Sequence, residues 1–510
     1  MVHPEICHEI SRLVNYGEQK KLISKQDRVY AANRLLEKLE LSDYEEDEIN
    51  ETLRYPADIL ENMCSHAVSQ GLIEDTGESR DKYDTELMDC LMPRPSEVVH
   101  TFNSIAVKDK RAATDYYYDL SKSSNYIRVD RIEKDLMWKT ETAYGDMIIT
   151  VNLSKPEKDP KDIAAARNAV QSGYPKCALC RENEGFAGGA NQAARANLRL
   201  IPLTLGGENW FMQYSPYVYY NEHCILLNEE HKPMTVSRKS MDRLLEFVLQ
   251  FPHYFVGSNA DLPIVGGSIL THDHFQGGNY DFPMAKAGIR EKVSFQGYED
   301  MDAGIVNWPM STIRISGTDK NRLVELAGHI LDTWRGYSDK EAEILAFTGE
   351  TPHNTITPIA RFRDGKIEMD LVLRNNRTNE EHPMGIFHPH SEYHNIKKEN
   401  IGLIEVMGLA ILPARLLTEI ELIKTALLDS KKEQEIFADS DMEKHRSWFD
   451  ELKKSGVNDE NALEKIQDSI GSVFMKILEN AGVYKDTQKG NECFRAFCGS
   501  VSEHISAGSK

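Results

Sequence analysis

Eight cysteines among 510 residues are too few to staple a chain of this length. That excludes a disulfide-built fold and leaves reduced thiols as the expectation. Only Cys177 and Cys180 stand at a spacing with chemical meaning, the CxxC of metal and redox sites. Long apolar runs are also missing. The stretch from Ile401 to Leu412 comes nearest, and Gly402, Glu405 and Gly408 interrupt it, so nothing reaches the ~20 residues needed to span a bilayer. The N-terminal Met1-Val2-His3-Pro4-Glu5 is polar and no apolar run follows it, so a cytoplasmic location is expected rather than a secretory one. Positive charge is in deficit: 60 Lys and Arg against 81 Asp and Glu leave a formal net charge of -21. A nucleic-acid backbone is thereby excluded as the main partner, because such binding needs dense cationic neutralisation of phosphates. Small anions remain within reach of local donors. Arg181, Arg195 and Arg199 flank the glycine-rich run Gly185-Phe186-Ala187-Gly188-Gly189 and are candidates for that task.

What is present is enough chain for a large core, about three domain-sized units or one multi-part enzyme. The first hundred residues carry helical spacing at Ile6, Ile10, Leu13 and Val14, and again at Val29, Ala32, Leu36 and Leu39. Pro56 suits a helix start and Gly71 a helix end, while the acidic Asp43 to Glu51 reads as an exposed connection. From about residue 125 the pattern turns to short strands: Trp210 to Tyr214, His223 to Leu227, Tyr254 to Gly257 and Ile269 to Phe275. Between the second and third lies a helix capped by Ser237, with Met241, Leu244, Leu245 and Val248 on its apolar face and Pro252 beyond its end. A similar succession follows Val306: a strand at Ser311 to Ile315, a helix over Arg322 to Trp334, then strands Thr355 to Phe362 and Ile367 to Leu373 around an Asp364-Gly365 turn. The C-terminal hundred residues return to helical spacing, with Leu403, Met407, Ile411 and Leu422 to Leu428, and Pro413 marks a boundary. The expected class is α+β, with mostly antiparallel sheets in two related halves and helical additions at both ends. The expected divisions are 1–120, 121–304, 305–400 and 401–510.

The most informative stretch is Thr271-His272-Asp273-His274-Phe275-Gln276-Gly277-Gly278. On a strand, alternate side chains share a face, so His272, His274 and Gln276 would project together. An imidazole is largely neutral and nucleophilic near pH 7, and it can attack phosphorus without a separate base. The glycines that follow would let a substrate approach the backbone. The same spacing also fits two histidines bonded to nearby carbonyls at a strand end, with no chemistry.

Read together, Cys177-Ala-Leu-Cys180, Glu222-His223-Cys224-Ile225-Leu226-Leu227 running to His231, Asn259, Gly266-Gly267-Ser268 and His272-Asp-His274-Phe-Gln276 resemble the galactose-1-phosphate uridylyltransferases of the histidine-triad superfamily. The likeness is to the Firmicutes-type second class, with its long helical additions. It implies two histidine-triad-like halves and a ping-pong exchange between UDP-glucose and galactose 1-phosphate through a uridylylated histidine. By position His274 is the nucleophile. Gln276 makes physical sense beside it, because an amide donates to a phosphoryl oxygen but cannot titrate as a general acid. A sugar 1-phosphate leaves as a stable phosphate and needs little protonation. Asn259, Gly266, Gly267 and Ser268 are implied in binding the phosphates of the sugar nucleotide, and Asn209 to Val218 the uridine and ribose.

Cys177, Cys180, His231 and His272 match the positions of a structural zinc site, with ligand types and number suited to that ion. No organic cofactor is implied. His388, His390 and His394 resemble a second metal cluster at altered spacing. Lys397-Lys398-Glu399-Asn400-Ile401-Gly402-Leu403-Ile404-Glu405 is similar to the family's sugar-phosphate segment, with Lys398 for the phosphate and Glu405 for sugar hydroxyls. In relatives that segment reaches the partner subunit's active site, which implies a homodimer. Two departures stand out: first-class members carry proline where this chain has Asp273, and Ser268 lies one residue farther from His272 than usual.

The alternatives are a histidine-triad nucleotidyltransferase or phosphorylase on another nucleotide sugar, a metal-dependent phosphohydrolase built on the HxH pairs, and a non-catalytic nucleotide- or metal-binding protein. The choice between galactose and N-acetylhexosamine 1-phosphate depends on pocket contacts that patterning does not resolve.

Overall fold

The computed structural model describes residues 4–152, 173–189 and 192–508. Of the N-terminal segment weighed above, Met1, Val2 and His3 lie outside the described residues. The chain opens with helices Pro4–Gln19, Arg28–Lys38, Ala57–Ser69, Gly77–Asp89, Pro95–Ala106 and Lys110–Ser123. Strands follow in order: β1 (Leu136–Thr142), β2 (Gly145–Val151), β3 (Ile201–Leu205), β4 (Glu208–Tyr214), β5 (Cys224–Asn228), β6 (Phe255–Gly257), β7 (His274–Gly278) and β8 (Ile289–Lys292). Then come β9 (Asp302–Val306), β10 (Thr312–Gly317), the short pair β11 (Phe347–Thr348) and β12 (Thr351–Pro352), β13 (Asn354–Arg363), β14 (Lys366–Asn375) and β15 (Leu409–Leu412). Helix α1 (Arg238–Gln250) separates β5 from β6, and α2 (Lys320–Gly336) follows β10. No helix of the described residues is long and apolar enough to cross a membrane.

The chain forms two compact units. The first takes in residues up to Lys134, the segment ending at Lys232, and His272–His274. Its opening helix buries Ile6, Ile10, Leu13 and Val14 as expected. The next helix buries Ala31, Ala32 and Leu35 instead of the stripe through Val29, which is 71% exposed. Ala32 and Leu39 of that stripe are buried and Leu36 is half-buried, so the two faces overlap and spacing alone does not choose between them. Gly71 closes the helix Ala57–Ser69 at φ +72, with bonds from Gly71 N to Val68 O and from Leu72 N to Ala67 O; a left-handed residue suits this double closure. Within this unit β3, β4 and β5 form an antiparallel meander. The helix Lys110–Ser123 is fastened to it: the buried Tyr117 hydroxyl sits between the carbonyls of Arg199 and Met212, 3.2 Å from the latter, and Tyr214 donates to Thr114 O at 3.1 Å.

The second unit comprises Asp135–Leu153, Pro233–Thr271 and Phe275–Lys510. Strand β2 pairs antiparallel with β1 and parallel with β15. Here the expectation of a helix through Leu403, Met407 and Ile411 fails. Gly408 takes φ +97 after a single turn, and Leu409–Leu412 runs on as a strand. In the larger sheet, β7 pairs with β6, β6 with β13, and β13, β14, β10, β9 and β8 follow as antiparallel neighbours. Asp364 and Gly365, both at positive φ, make the tight turn between β13 and β14. Ser237 caps α1, its hydroxyl accepting from Ser240 N at 3.3 Å, and Met241, Leu244, Leu245 and Val248 are buried. Trp334 of α2 is fully buried and donates to Thr355 O at 2.9 Å.

In chain order, β3–β4–β5–α1–β6–β7 and β8–β9–β10–α2–β13–β14 repeat one pattern, apart from the short β11–β12 pair. The fold is α+β, mostly antiparallel, in two successive halves with helical additions at both ends.

One polar feature crosses the second half. Asp370 on β14 is fully buried and receives Arg314 Nε at 2.6 Å from β10 and Arg361 Nη2 at 2.6 Å from β13. These guanidiniums hold its carboxyl below the usual range even though burial pushes the other way.

Candidate active site

Strand β7 begins at His274, so His272 lies just before it in a bend and does not share a strand face with His274 and Gln276. The reason lies in residues distant along the chain. His272 turns its ring toward the cysteines: its Nδ1 lies 3.2 Å from Cys177 Sγ and 3.7 Å from Cys180 Sγ. Cys180 Sγ is 3.1 Å from His231 Nδ1, and the two sulfurs are 3.6 Å apart. All four ligand atoms fall within 4.8 Å of one another. A tetrahedral zinc site has ligand-to-ligand edges of roughly 3.3–3.8 Å, so the donor set and its spacing fit that ion.

Residues around the cluster fix its members. The opposite ring nitrogen of His272, Nε2, donates to Asn228 O at 2.8 Å, which orients the ring and leaves Nδ1 as the ligand atom. Asn183 donates to the carbonyls of Cys177 and Cys180 at 2.9 and 2.8 Å. Burial pushes the Cys177 thiol up to about 11; a bound cation would oppose that by favouring the thiolate. Asp273 donates its backbone N–H to Lys232 O at 2.7 Å and accepts from Asn228 N at 3.0 Å. Proline at that position would lack the N–H, so the departure from the first-class motif is put to use in joining the His231 and His272 segments.

The candidate nucleophile His274 is built on the same stretch. His274 is buried, and its Nδ1–H donates to the carbonyl of His272 at 2.8 Å. A carbonyl only accepts, so the proton sits on Nδ1 and the lone pair on Nε2. Burial lowers the His274 pKa from its ordinary value, more than the His272 carbonyl raises it, which keeps the ring neutral. Gln276 follows two residues along β7, on the face of His274, in register with Gly257 of β6.

The second unit gathers the proposed phosphate turn. Asn259 and Gly267 touch: a Cβ on Gly267 would lie 2.7 Å from Asn259 Nδ2. A Cβ on Gly266 would lie 2.6 Å from Ala260 O, so glycine there is required by close packing against backbone, while at Gly267 a Cβ would displace the Asn259 amide. Ser268 is exposed. Just before them Ile264 takes φ +73, a strained conformation for a β-branched residue that the sequence did not signal. Asn259 Oδ1 accepts from Leu403 N at 2.9 Å. Glu405 is buried, bonded to Gly402 N at 2.7 Å and paired with Lys397 at 2.5 Å, while Lys398 is exposed.

Of the arginines near the glycine-rich run, Arg199 is buried and spent on Pro93 O, Ala196 O, Leu198 O and Asp89. Arg181 pairs with Glu229, and Arg195 lies over the Tyr126 ring, 5.5 Å from its centroid. Among the described residues His388, His390 and His394 form no metal-holding group. Instead His390 and His394 spend Nε2 on the carbonyls of Ile386 and Pro389, at 3.0 and 2.9 Å, and His388 Nε2 lies 3.2 Å from Asn400 Oδ1.

Comparison with known proteins bears on the whole chain. Residues 21–233 match the family described as galactose-1-phosphate uridyl transferase, N-terminal domain, and residues 247–445 match its C-terminal domain. The chain belongs to the galactose-1-phosphate uridylyltransferase family. It is similar to galactose-1-phosphate uridylyltransferases of Clostridium acetobutylicum (52% identical, over 96% of this chain and 99% of that one), Fusobacterium nucleatum (51%, over 97% and 98%) and Bacillus subtilis (49%, over 96% and 97%). Membership of this family makes the chain a nucleotidyltransferase. The supports from Asn228 and Asn183 were not legible in the sequence, since they act through backbone carbonyls; Lys397, read there as a phosphate-facing lysine, is buried and paired with Glu405.

Proposed function

We propose that this chain transfers UMP between UDP-glucose and galactose 1-phosphate by a ping-pong reaction through His274. The observation that carries the mechanism is the Nδ1–H bond from His274 to the His272 carbonyl, which leaves Nε2 as a neutral nucleophile. In the first half-reaction Nε2 attacks the α-phosphorus of UDP-glucose, the bond from that phosphorus to the bridging oxygen breaks, and glucose 1-phosphate departs. The imidazole becomes cationic as the new N–P bond forms, and the His272 carbonyl stabilises it through Nδ1–H. A phosphate oxygen of galactose 1-phosphate then attacks the same phosphorus, expelling His274 and yielding UDP-galactose. Gln276 donates to the phosphoryl oxygens in both directions.

Asn259, Gly266, Gly267 and Ser268 are assigned to the phosphates of the sugar nucleotide, and Lys398 and Glu405 to the hexose phosphate. Arg195 is retained as an anion-binding candidate. Zinc held by Cys177, Cys180, His231 and His272 would supply structural charge balance and rigidity, with no part in bond making. A homodimer, a cytoplasmic location and the chain divisions at residues 120, 304 and 400 complete the proposal.

The test is incubation with UDP-glucose alone, followed by intact mass measurement. The expected result is one uridylyl adduct per chain that galactose 1-phosphate discharges and that His274→Ala never acquires. An adduct on His274→Ala would overturn the assignment. Water serving as acceptor at the rate of galactose 1-phosphate would favour a hydrolase.

A further inference from the structure

A cavity of about 290 Å³ lies within the second unit, where β6 begins, β7 has just ended and β13 comes to its end. None of the residues assigned to substrate above lines it. Part of its wall is aromatic. Phe282 is buried, and its ring stands edge-on to Phe255 at a centroid distance of 5.2 Å and to Tyr280 at 4.8 Å. Crossed rings of this kind are a favoured packing and hold one another in place. Another part of the wall carries charge, and that charge is balanced. Arg361 is buried and committed to Glu368 and Asp370, the latter at 2.6 Å. Arg363 is part-exposed, and its Nη1 donates to Ala285 O at 2.6 Å. The carboxylates of Glu368 and Asp281 lie 3.7 and 3.9 Å from the Arg363 guanidinium, beyond hydrogen-bond reach.

Each feature narrows the occupant. The cavity is at the small end of ligand sites, with room for one substituted ring and too little for a nucleotide sugar. The charge balance selects against an anion. A phosphate drawn to Arg363 would also meet Asp281 and Glu368, whose like charge opposes it at that range. The Arg363–Asp281 pair, opened to 3.9 Å, suits a hydroxyl, which accepts from the guanidinium and donates to the carboxylate at once. The aromatic wall selects for a ring with C–H faces, because the electron-rich face of an aromatic attracts C–H groups. An open-chain polyol would leave that wall unused. Hydroxyls around the rim of a ring and C–H groups on its faces describe a sugar. We infer that this cavity is a binding site for a neutral monosaccharide. It stands apart from the residues assigned to the hexose phosphate, and it does not depend on which reaction His274 performs.

Titration of the full chain with D-galactose and with D-glucose, read by saturation-transfer NMR on the sugar signals, tests it. Saturable binding of at least one of them is expected, with a dissociation constant of about 1 mM for a ligand of this size. Asp281→Ala removes the hydroxyl acceptor at a side chain that is 75% exposed, so the fold is kept, and an unchanged thermal midpoint checks this. It should weaken binding roughly tenfold, the worth of one hydrogen bond to a charged group. Tyr280→Ala, which removes part of the aromatic wall, should weaken it by a similar factor. Excess inorganic phosphate and excess galactose 1-phosphate should leave the bound sugar in place. Displacement by inorganic phosphate would show an anion site and overturn the inference. Displacement by galactose 1-phosphate alone would place the sugar among the residues assigned to hexose phosphate and overturn it as well. Binding that Asp281→Ala and Tyr280→Ala both leave unchanged, or no saturable binding of either sugar up to about 50 mM, would overturn it equally.

Discussion

The backbone carbonyl of His272 accepts the Nδ1–H of His274 at 2.8 Å, while the His272 ring lies 3.2 Å from Cys177 Sγ. One residue thus joins the cysteine–histidine cluster to His274, the proposed nucleophile, through its ring on one side and its main chain on the other. Disturbance of the cluster should be felt as misplacement of His274.

Metal content follows from that link. The purified protein is expected to carry about one zinc per chain by elemental analysis. Chelation, or Cys180→Ser, should lower the thermal midpoint and slow adduct formation on the order of tenfold or more through lost positioning. Unchanged adduct kinetics in a metal-free, folded protein would separate the two sites.

Gly267→Ala probes the phosphate turn. The added Cβ would press on the Asn259 amide at 2.7 Å. The variant should fold, yet lose roughly tenfold to a hundredfold in adduct formation from UDP-glucose, since displacement of this size at a reacting group has such effects. Stopped-flow or quenched mass measurements would read it.

Asp370→Asn addresses stability apart from chemistry. It would leave Arg314 and Arg361 buried without their shared carboxylate. A loss of about 3–5 kcal/mol is expected in urea unfolding. A loss under about 1 kcal/mol would mean that the surroundings solvate both arginines without it.

The pH dependence of stability should carry the mark of His445. This ring is fully buried between Glu419, 2.9 Å away, and Asn395. Burial lowers its pKa more than Glu419 raises it. The unfolded chain then takes up the proton first, so the stabilisation is complete above the unfolded value of about 6.5 and is lost as pH falls from there through the folded value. Thermal midpoints measured from pH 8 to pH 5 should decline on the acid side, and His445→Gln should flatten part of that decline.

Much of this was legible in the chain. The family could be read because several short motifs stand in one order along the chain, and the CxxC pair, His231 and His272 lie close enough together to hold a metal ion. The start of β7 was not, because the pull of the cysteines on His272 acts over 92 to 95 residues of chain. Strand β15 was misread because Leu403, Met407 and Ile411 mimic a helical stripe, and only the positive φ of Gly408 reveals the break. Arg199 and Asp370 carry charges that a pattern assigns to solvent, and their burial depends on partners from distant segments.

The Tyr117 hydroxyl, lodged between the carbonyls of Arg199 and Met212, has a historical consequence. Once helix and meander share an interior sealed by aromatic hydroxyls, neither can be discarded by simple truncation. A lineage that shed the opening helices would expose Met212 and Tyr214 and need a new cover for that sheet face in the same step. The helical extension is in this sense a ratchet: easily elaborated at its surface, but not readily reversed at its root.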